Sequence, residues 1–126
     1  MVFEDEVSLA FLDHRPLFPA HTLLVPREHH ETLTDLPGPL VGPLFSNAQL
    51  LAAAVQTATN AEGTFVAMNN KVSQSVPHLH VHVVPRRRKD GLRGFFWPRK
   101  KYGSAQELKM AADLVRSAVD DLRDNA

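Results

Sequence analysis

The sequence predicts an α+β domain, a mostly antiparallel β-sheet with a long helix and a C-terminal helix packed on it. Three observations carry this. Residues 78–83 read His-Leu-His-Val-His-Val. Strict alternation is the period of a β-strand, so three imidazoles face one side and three apolar residues the other. Within residues 40–61, Leu44, Phe45, Ala48, Leu51, Ala52, Val55 and Ala58 recur at spacings of three and four, the period of an amphipathic helix. Ser104-Ala105-Gln106-Glu107 is a capping box. It opens a second stripe through Leu108, Ala111, Val115, Ala118 and Leu122, widened by Met110, Leu114 and Val119. No internal repeat or linker interrupts the chain, so residues 1–126 are expected to form a single domain.

The remaining elements follow in order. Residues 2–4 and 7–13 read as two short strands around the acidic turn Asp5-Glu6, with Val7, Leu9 and Phe11 sharing a face. His14-Arg15-Pro16 and Phe18-Pro19 form a turn, because two prolines bar regular structure. Residues 22–25 are a short apolar strand that Pro26 stops. Residues 33–43 are proline-rich and irregular, the long helix follows over 40–61, and Gly63 ends it. Residues 64–69 are the next strand, and the polar loop 69–75 delivers the chain to the histidine strand, 79–84. After Pro85 come the basic run Arg86-Arg87-Arg88-Lys89, the turn pair Asp90-Gly91, and an aromatic, basic stretch over 92–102.

Composition narrows the function classes. With 126 residues and 44% hydrophobic content the chain can build one core. Its formal net charge of zero argues against a dedicated nucleic-acid binder. There are no cysteines, hence no disulfide framework and no thiolate zinc site. The first residues carry Glu4-Asp5-Glu6 rather than a basic, apolar leader, and no membrane span is read from the sequence, so a cytoplasmic protein is expected.

The chemistry is expected on the histidine face. Neighbouring same-face histidines lie about 6.6 Å apart along a strand, and His78 and His82 about 13 Å apart. Two adjacent rings could share a metal ion; all three could not without bending the strand. His80 has an imidazole on each side. An acceptor holding the proton of one ring nitrogen would leave the other free to attack. Gln74 and Ser75 precede the row by four and three residues. They read equally as a polar loop or as donors to a phosphate oxygen. Asp13, at a strand end, reads as a turn former or as an acceptor for two ribose hydroxyls.

The pattern His78-x-His80-x-His82 followed by Val83-Val84 resembles the signature of the histidine-triad, or HIT, family. The flanks resemble it too: Gln74-Ser75-Val76 before, Pro85-Arg86 after, and Phe11-Leu12-Asp13 through Pro19-Ala20-His21-Thr22-Leu23-Leu24-Val25-Pro26 to His29 upstream. The resemblance implies the HIT-like fold, commonly as a homodimer, and a nucleotidyl hydrolase or transferase that works through a covalent nucleotidyl-histidine. Carried over by position, His80 is the nucleophile, and His78 and His82 orient it and help bind phosphate. Ser75 assists. Asp13 holds the ribose, and His21, Asn69 and Gln74 bind the nucleotide, with Asn70 competing for the role of Asn69. His29 matches a recurrent position; His14 and His30 match none. The family's frequent zinc-binding cysteine pair is absent, so no protein-bound cofactor is expected, and magnesium enters only with a polyphosphate substrate.

The substrate class has two readings within this resemblance. His82-Val83-Val84-Pro85-Arg86 is more similar to the branch that cleaves dinucleoside polyphosphates such as diadenosine tetraphosphate. The basic run would then supply a cationic rim, with Arg86 and Arg93 on phosphate and Trp97 stacking a base. The alternative is a purine nucleoside phosphoramidase, for which the run is a solvated surface; Phe95 and Phe96 read as core anchors in either case. Outside the enzyme class stand a metal-binding module using His78, His80 and His21, and a nucleotide-binding regulatory protein.

Overall fold

The computed structural model describes residues 1–92 and 99–125, which divide into two compact units, Met1–Asp90 and Gly91–Ala126. The first holds a five-stranded antiparallel sheet: β1 (Phe3–Glu4), β2 (Ser8–Leu12), β3 (Thr22–Pro26), β4 (Gly63–Ala67) and β5 (Val81–Arg86) in the order β1-β2-β3-β5-β4. One long helix, α1 (Gly38–Thr59), follows a 3₁₀ turn at Leu33–Asp35.

The strand period decides what each face meets. Ala10 of β2, Leu24 of β3, and Val81 and Val83 of β5 are fully buried, and with Leu79 they join Leu44, Ala48, Leu51 and Val55 of α1 in one core. This is the apolar side of the alternation expected at 78–83. α1 is long and apolar enough by composition to cross a membrane, yet these four side chains occupy the place of an ordinary core helix. Ser8 is polar and buried on the core face, and the Asn47 amide satisfies it at 2.6 Å while donating to Asp5 Oδ2 at 2.9 Å. Asp5 Oδ1 accepts from the amides of Val7 and Ser8, which closes the β1–β2 turn.

Two helix boundaries differ from the sequence expectation. The irregular stretch ends earlier, because Pro39 falls in the first turn of α1, where a missing N–H costs nothing; Pro43 is carried inside the helix. The stop is Asn60 rather than Gly63. Asn60 takes the left-handed conformation (φ 54°, ψ 37°), a conformation asparagine tolerates, and the Ala61 amide donates back to Gln56 O at 3.0 Å. Gly63 instead opens β4.

In the second unit, α2 (Ala105–Asp124) starts at Ser104, whose hydroxyl accepts from the Glu107 amide at 3.1 Å. The Glu107 carboxylate reaches back to the amide of Gly103. The predicted apolar stripe runs along α2 through Leu108, Ala111, Val115, Ala118 and Leu122. Its own unit offers no second described element to cover it.

Candidate active site

The face of the sheet opposite α1 carries a row across three strands. Phe11 of β2 pairs with Leu23 of β3, and Leu23 with His82 of β5. On this face a cavity of about 430 Å³ has one apolar side, Phe11, Leu23, Val25 and Val76, and one polar side, Ser75, His78, His80 and His82; Asp13 and His14 close it. All three histidines of the alternating row therefore reach one cavity, as their spacing predicts.

Their ring nitrogens are not equivalent. His80 Nδ1 lies 2.7 Å from the carbonyl oxygen of His78, an acceptor only, so His80 must carry its proton there. Neutral His80 then has its lone pair on Nε2. His82 is governed from behind. The Leu17 amide donates to His21 Nδ1 at 3.1 Å, which places the His21 proton on Nε2. That nitrogen is 3.0 Å from His82 Nδ1 and donates to it, so His82 keeps its own proton on Nε2. The row thus offers a nucleophilic nitrogen on His80 beside a hydrogen-bond donor on His82, with the two ring centroids 5.0 Å apart.

Residues 1–89 match the family model described as the HIT domain. The chain belongs to the HIT family. It is 32% identical over 93 residues to adenylylsulfatase HINT3 of Arabidopsis thaliana, covering 72% of this chain and 47% of that protein. Over 116 residues it is 32% identical to the bifunctional bis(5′-adenosyl)-triphosphatase/adenylylsulfatase FHIT of the same plant, covering 90% of this chain and 64% of that one. The chain thus spans about half to two thirds of the length of these relatives. A solved HIT family member from Bacillus subtilis superimposes with a TM-score of 0.82 at 29% identity, over 92% of this chain and 84% of that one.

Other positions of this HIT domain are placed differently from the sequence expectation. The His78 ring is already engaged. Its Nε2 faces the Pro26 carbonyl at 3.3 Å and its Nδ1 faces His29 Nδ1 at 2.9 Å, so it orients His80 through its backbone oxygen. His21 is buried behind His82 and acts on it rather than lining the cavity. Asp13 makes the turn of its first reading and leaves one carboxylate oxygen beside the cavity. Oδ1 accepts from the Arg15 amide and shapes the turn, while Oδ2 lies 3.8 Å from His21 Nε2 at the cavity's edge. Ser75 lines the cavity, and no described residue hydrogen-bonds its hydroxyl.

Asn69, Gln74 and Arg86 are not brought to the cavity. The Asn69 amide donates to Ser73 O, and Gln74 bonds the backbone at Glu31 and Lys71. Asn70, its competitor, accepts from the Leu33 amide. Arg86 forms a two-pronged pair with Asp90, Nε to Oδ2 at 2.6 Å and Nη2 to Oδ1 at 3.0 Å. Arg87 caps the C-terminus of α1 through the carbonyls of Thr59 and Asn60, and Arg88 pairs with Glu62 at 3.6 Å. The expectations for Arg93, Phe95, Phe96 and Trp97 lie outside the described residues. Arg86→Met is therefore expected to lower stability by about 1.5–3 kcal/mol, the range for hydrogen bonds to charged groups. It should leave the salt dependence of kcat/KM unchanged; a flattened salt dependence with an unchanged melting temperature would return Arg86 to the substrate.

Two sets of lining residues carry no site role in the sequence reading. His14 had no pattern behind it. Leu23-Leu24-Val25 did carry a signal. Leu24 is in the core, so an apolar residue on either side of it means that the outer face also meets something apolar.

Asp13, His21 and His82 bring three ligand atoms within 4.8 Å of one another. The set does not fit a metal as it is built. Ligation through His21 Nε2 needs that ring's proton on Nδ1, where the Leu17 N–H already points. Burial pushes the pKa of His21 below the ordinary histidine value of 6.5, against the opposing pull of Asp13. Burial, then His80 and His21, push that of His82 down as well. Unfolded histidines titrate near 6.5. Below that pH the unfolded chain takes up protons that these two folded rings resist. Stability is therefore complete above about pH 6.5 and falls as the pH drops towards the depressed values. Melting curves at pH 7.5, 6.5 and 5.5 should show this decline; a constant or rising melting temperature would contradict it.

Proposed function

We propose that this chain is a nucleotidyl hydrolase that cleaves dinucleoside polyphosphates through a covalent nucleotidyl-His80 intermediate. The observation that carries the reading is the bond from His80 Nδ1–H to His78 O, which leaves the Nε2 lone pair for the substrate. Nε2 attacks the phosphorus next to one nucleoside, a P–N bond forms, and the P–O bond to the departing phosphate chain breaks. Water then attacks the same phosphorus, the P–N bond breaks, and a nucleoside monophosphate leaves. Donation from His82 Nε2–H and the Ser75 hydroxyl opposes the charge that builds on the phosphoryl oxygens and the leaving group. The base rests on Phe11, Leu23 and Val25, and Asp13 Oδ2 takes the ribose hydroxyls. In this reading magnesium arrives paired with the polyphosphate, and two copies of the chain form the working unit. The names of the two plant relatives, a triphosphatase and adenylylsulfatases, support a 5′-nucleotidyl substrate.

A second reading, a nucleoside phosphoramidase, is favoured by one observation. Arg86 and Arg87 are engaged within the fold, and none of Arg86, Arg87, Arg88 and Lys89 is among the residues that line the cavity. The test is a panel of diadenosine polyphosphates, adenylylsulfate and an adenosine phosphoramidate, with acid-free quenching and peptide mapping for an adenylyl group on His80. Adenosine monophosphate release with a labelled His80 peptide supports the common mechanism, and the ratio of kcat/KM values selects the substrate. Absence of both release and adduct across the panel would refute it.

A further inference from the structure

The loop between β4 and the histidine row is clipped along residues 30–33. The Leu79 amide donates to His30 O at 2.7 Å, the Leu33 amide donates to Asn70 Oδ1 at 2.8 Å, and Lys71 Nζ pairs with Glu31 at 2.9 Å. Gln74 makes the fourth clip. Its Nε2 donates to Glu31 O at 2.6 Å, and its Oε1 accepts from the Lys71 amide at 2.9 Å. The loop needs holding, because Lys71 and Ser73 sit at φ 68° and 60°, a left-handed conformation that side chains disfavour. The next residue after Gln74 is Ser75, which faces the cavity.

From this geometry we infer that Gln74 is a positioning residue that holds the Ser75 hydroxyl at the cavity and does not itself touch the substrate. Its Oε1 and one Nε2–H are engaged by backbone, and the side chain is not among those lining the cavity, so it is held along the loop and away from the substrate's place. Its influence stops at Ser75. The carbonyl that orients His80 belongs to His78, and that stretch is tied separately through Leu79 to His30. This inference rests on the nucleotidyl-transfer reading for its kinetic consequences and on the loop alone for its structural one.

The test is a double-mutant cycle on the single-turnover rate, with amide exchange of Lys71 as a readout independent of activity. Gln74→Ala is expected to slow the reaction about ten- to a hundredfold, the cost of a misplaced catalytic group. In the Ser75→Ala background the same change should cost less than about twofold, because coupled residues are not additive. Lys71 amide protection should fall in Gln74→Ala whether or not the protein turns over any tested substrate. Gln74→Glu, which keeps the acceptor for Lys71 but loses the donor to Glu31, should retain Lys71 protection and still slow the reaction. A full Gln74→Ala effect persisting without Ser75 would mean that Gln74 meets the substrate, and unchanged Lys71 protection would mean that the clip does not exist; either overturns the inference. A wild-type protein inactive on every substrate, with Lys71 protection lost in Gln74→Ala, would instead reject the enzymatic reading and keep the clip.

Discussion

Replacing His80 by Asn is expected to slow turnover by about 10⁴-fold or more, the scale on which loss of a covalent nucleophile is felt. Nucleotide affinity should stay within about threefold, since the cost falls on the transition state and not on ground-state binding. Asn is the discriminating choice. Its amide can keep the donor to His78 O, so the local backbone stays satisfied. It offers nothing in place of the Nε2 lone pair. Ala removes both functions and should lose as much rate with some added disorder of the row. The measurement is single-turnover hydrolysis beside nucleotide binding by calorimetry. A His80→Asn protein turning over near the wild-type rate would mean that water attacks phosphorus directly and that the row only binds.

The parts of this site legible in the sequence are those fixed by local period. Alternation over 78–83 specifies that His78, His80 and His82 share a face, and it equally specifies that Leu79, Val81 and Val83 enter the core. Local spacing cannot specify what each ring bonds. The His78 ring is held by Pro26 and His29, about fifty residues away in sequence, and only the fold brings them together. The basic run is a similar case. Four consecutive cations are visible in the chain, but the partners of Arg86, Arg87 and Arg88 (Asp90, the end of α1 and Glu62) are scattered, and a pairing between them has no sequence period. Gln74 and Asn69 are polar residues in a loop, where backbone bonds compete with ligand bonds on equal terms until the loop's path is known. The helix ends illustrate a smaller ambiguity. Pro39 and Asn60 are each compatible with loop or helix terminus, and tertiary packing of Leu44 and Val55 decides between them.

His21→Leu is expected to lower kcat by about ten- to a hundredfold, as loss of a residue that orients a catalytic ring commonly does. His21 is 3% exposed and reaches no substrate, so its effect has to pass through His82. In the wild type the Leu17 amide fixes His21, and His21 fixes the His82 proton on Nε2. Leu removes the donor and leaves His82 Nδ1 facing an apolar group. An unsatisfied buried nitrogen costs about 1–3 kcal/mol, which is comparable to the difference between tautomers, so the Nε2–H form loses its dominance. The cavity then presents a donor for only part of the time. His21→Gln separates this from simple damage to packing. Its amide can donate to His82 Nδ1 while its carbonyl takes the Leu17 N–H, and it should recover most of the lost rate. The checks are kcat for both variants, melting temperatures to confirm folding, and ¹⁵N shifts of His82 for the tautomer. A folded His21→Leu protein with wild-type kcat and an unchanged His82 tautomer would show that the relay has no part in setting that proton.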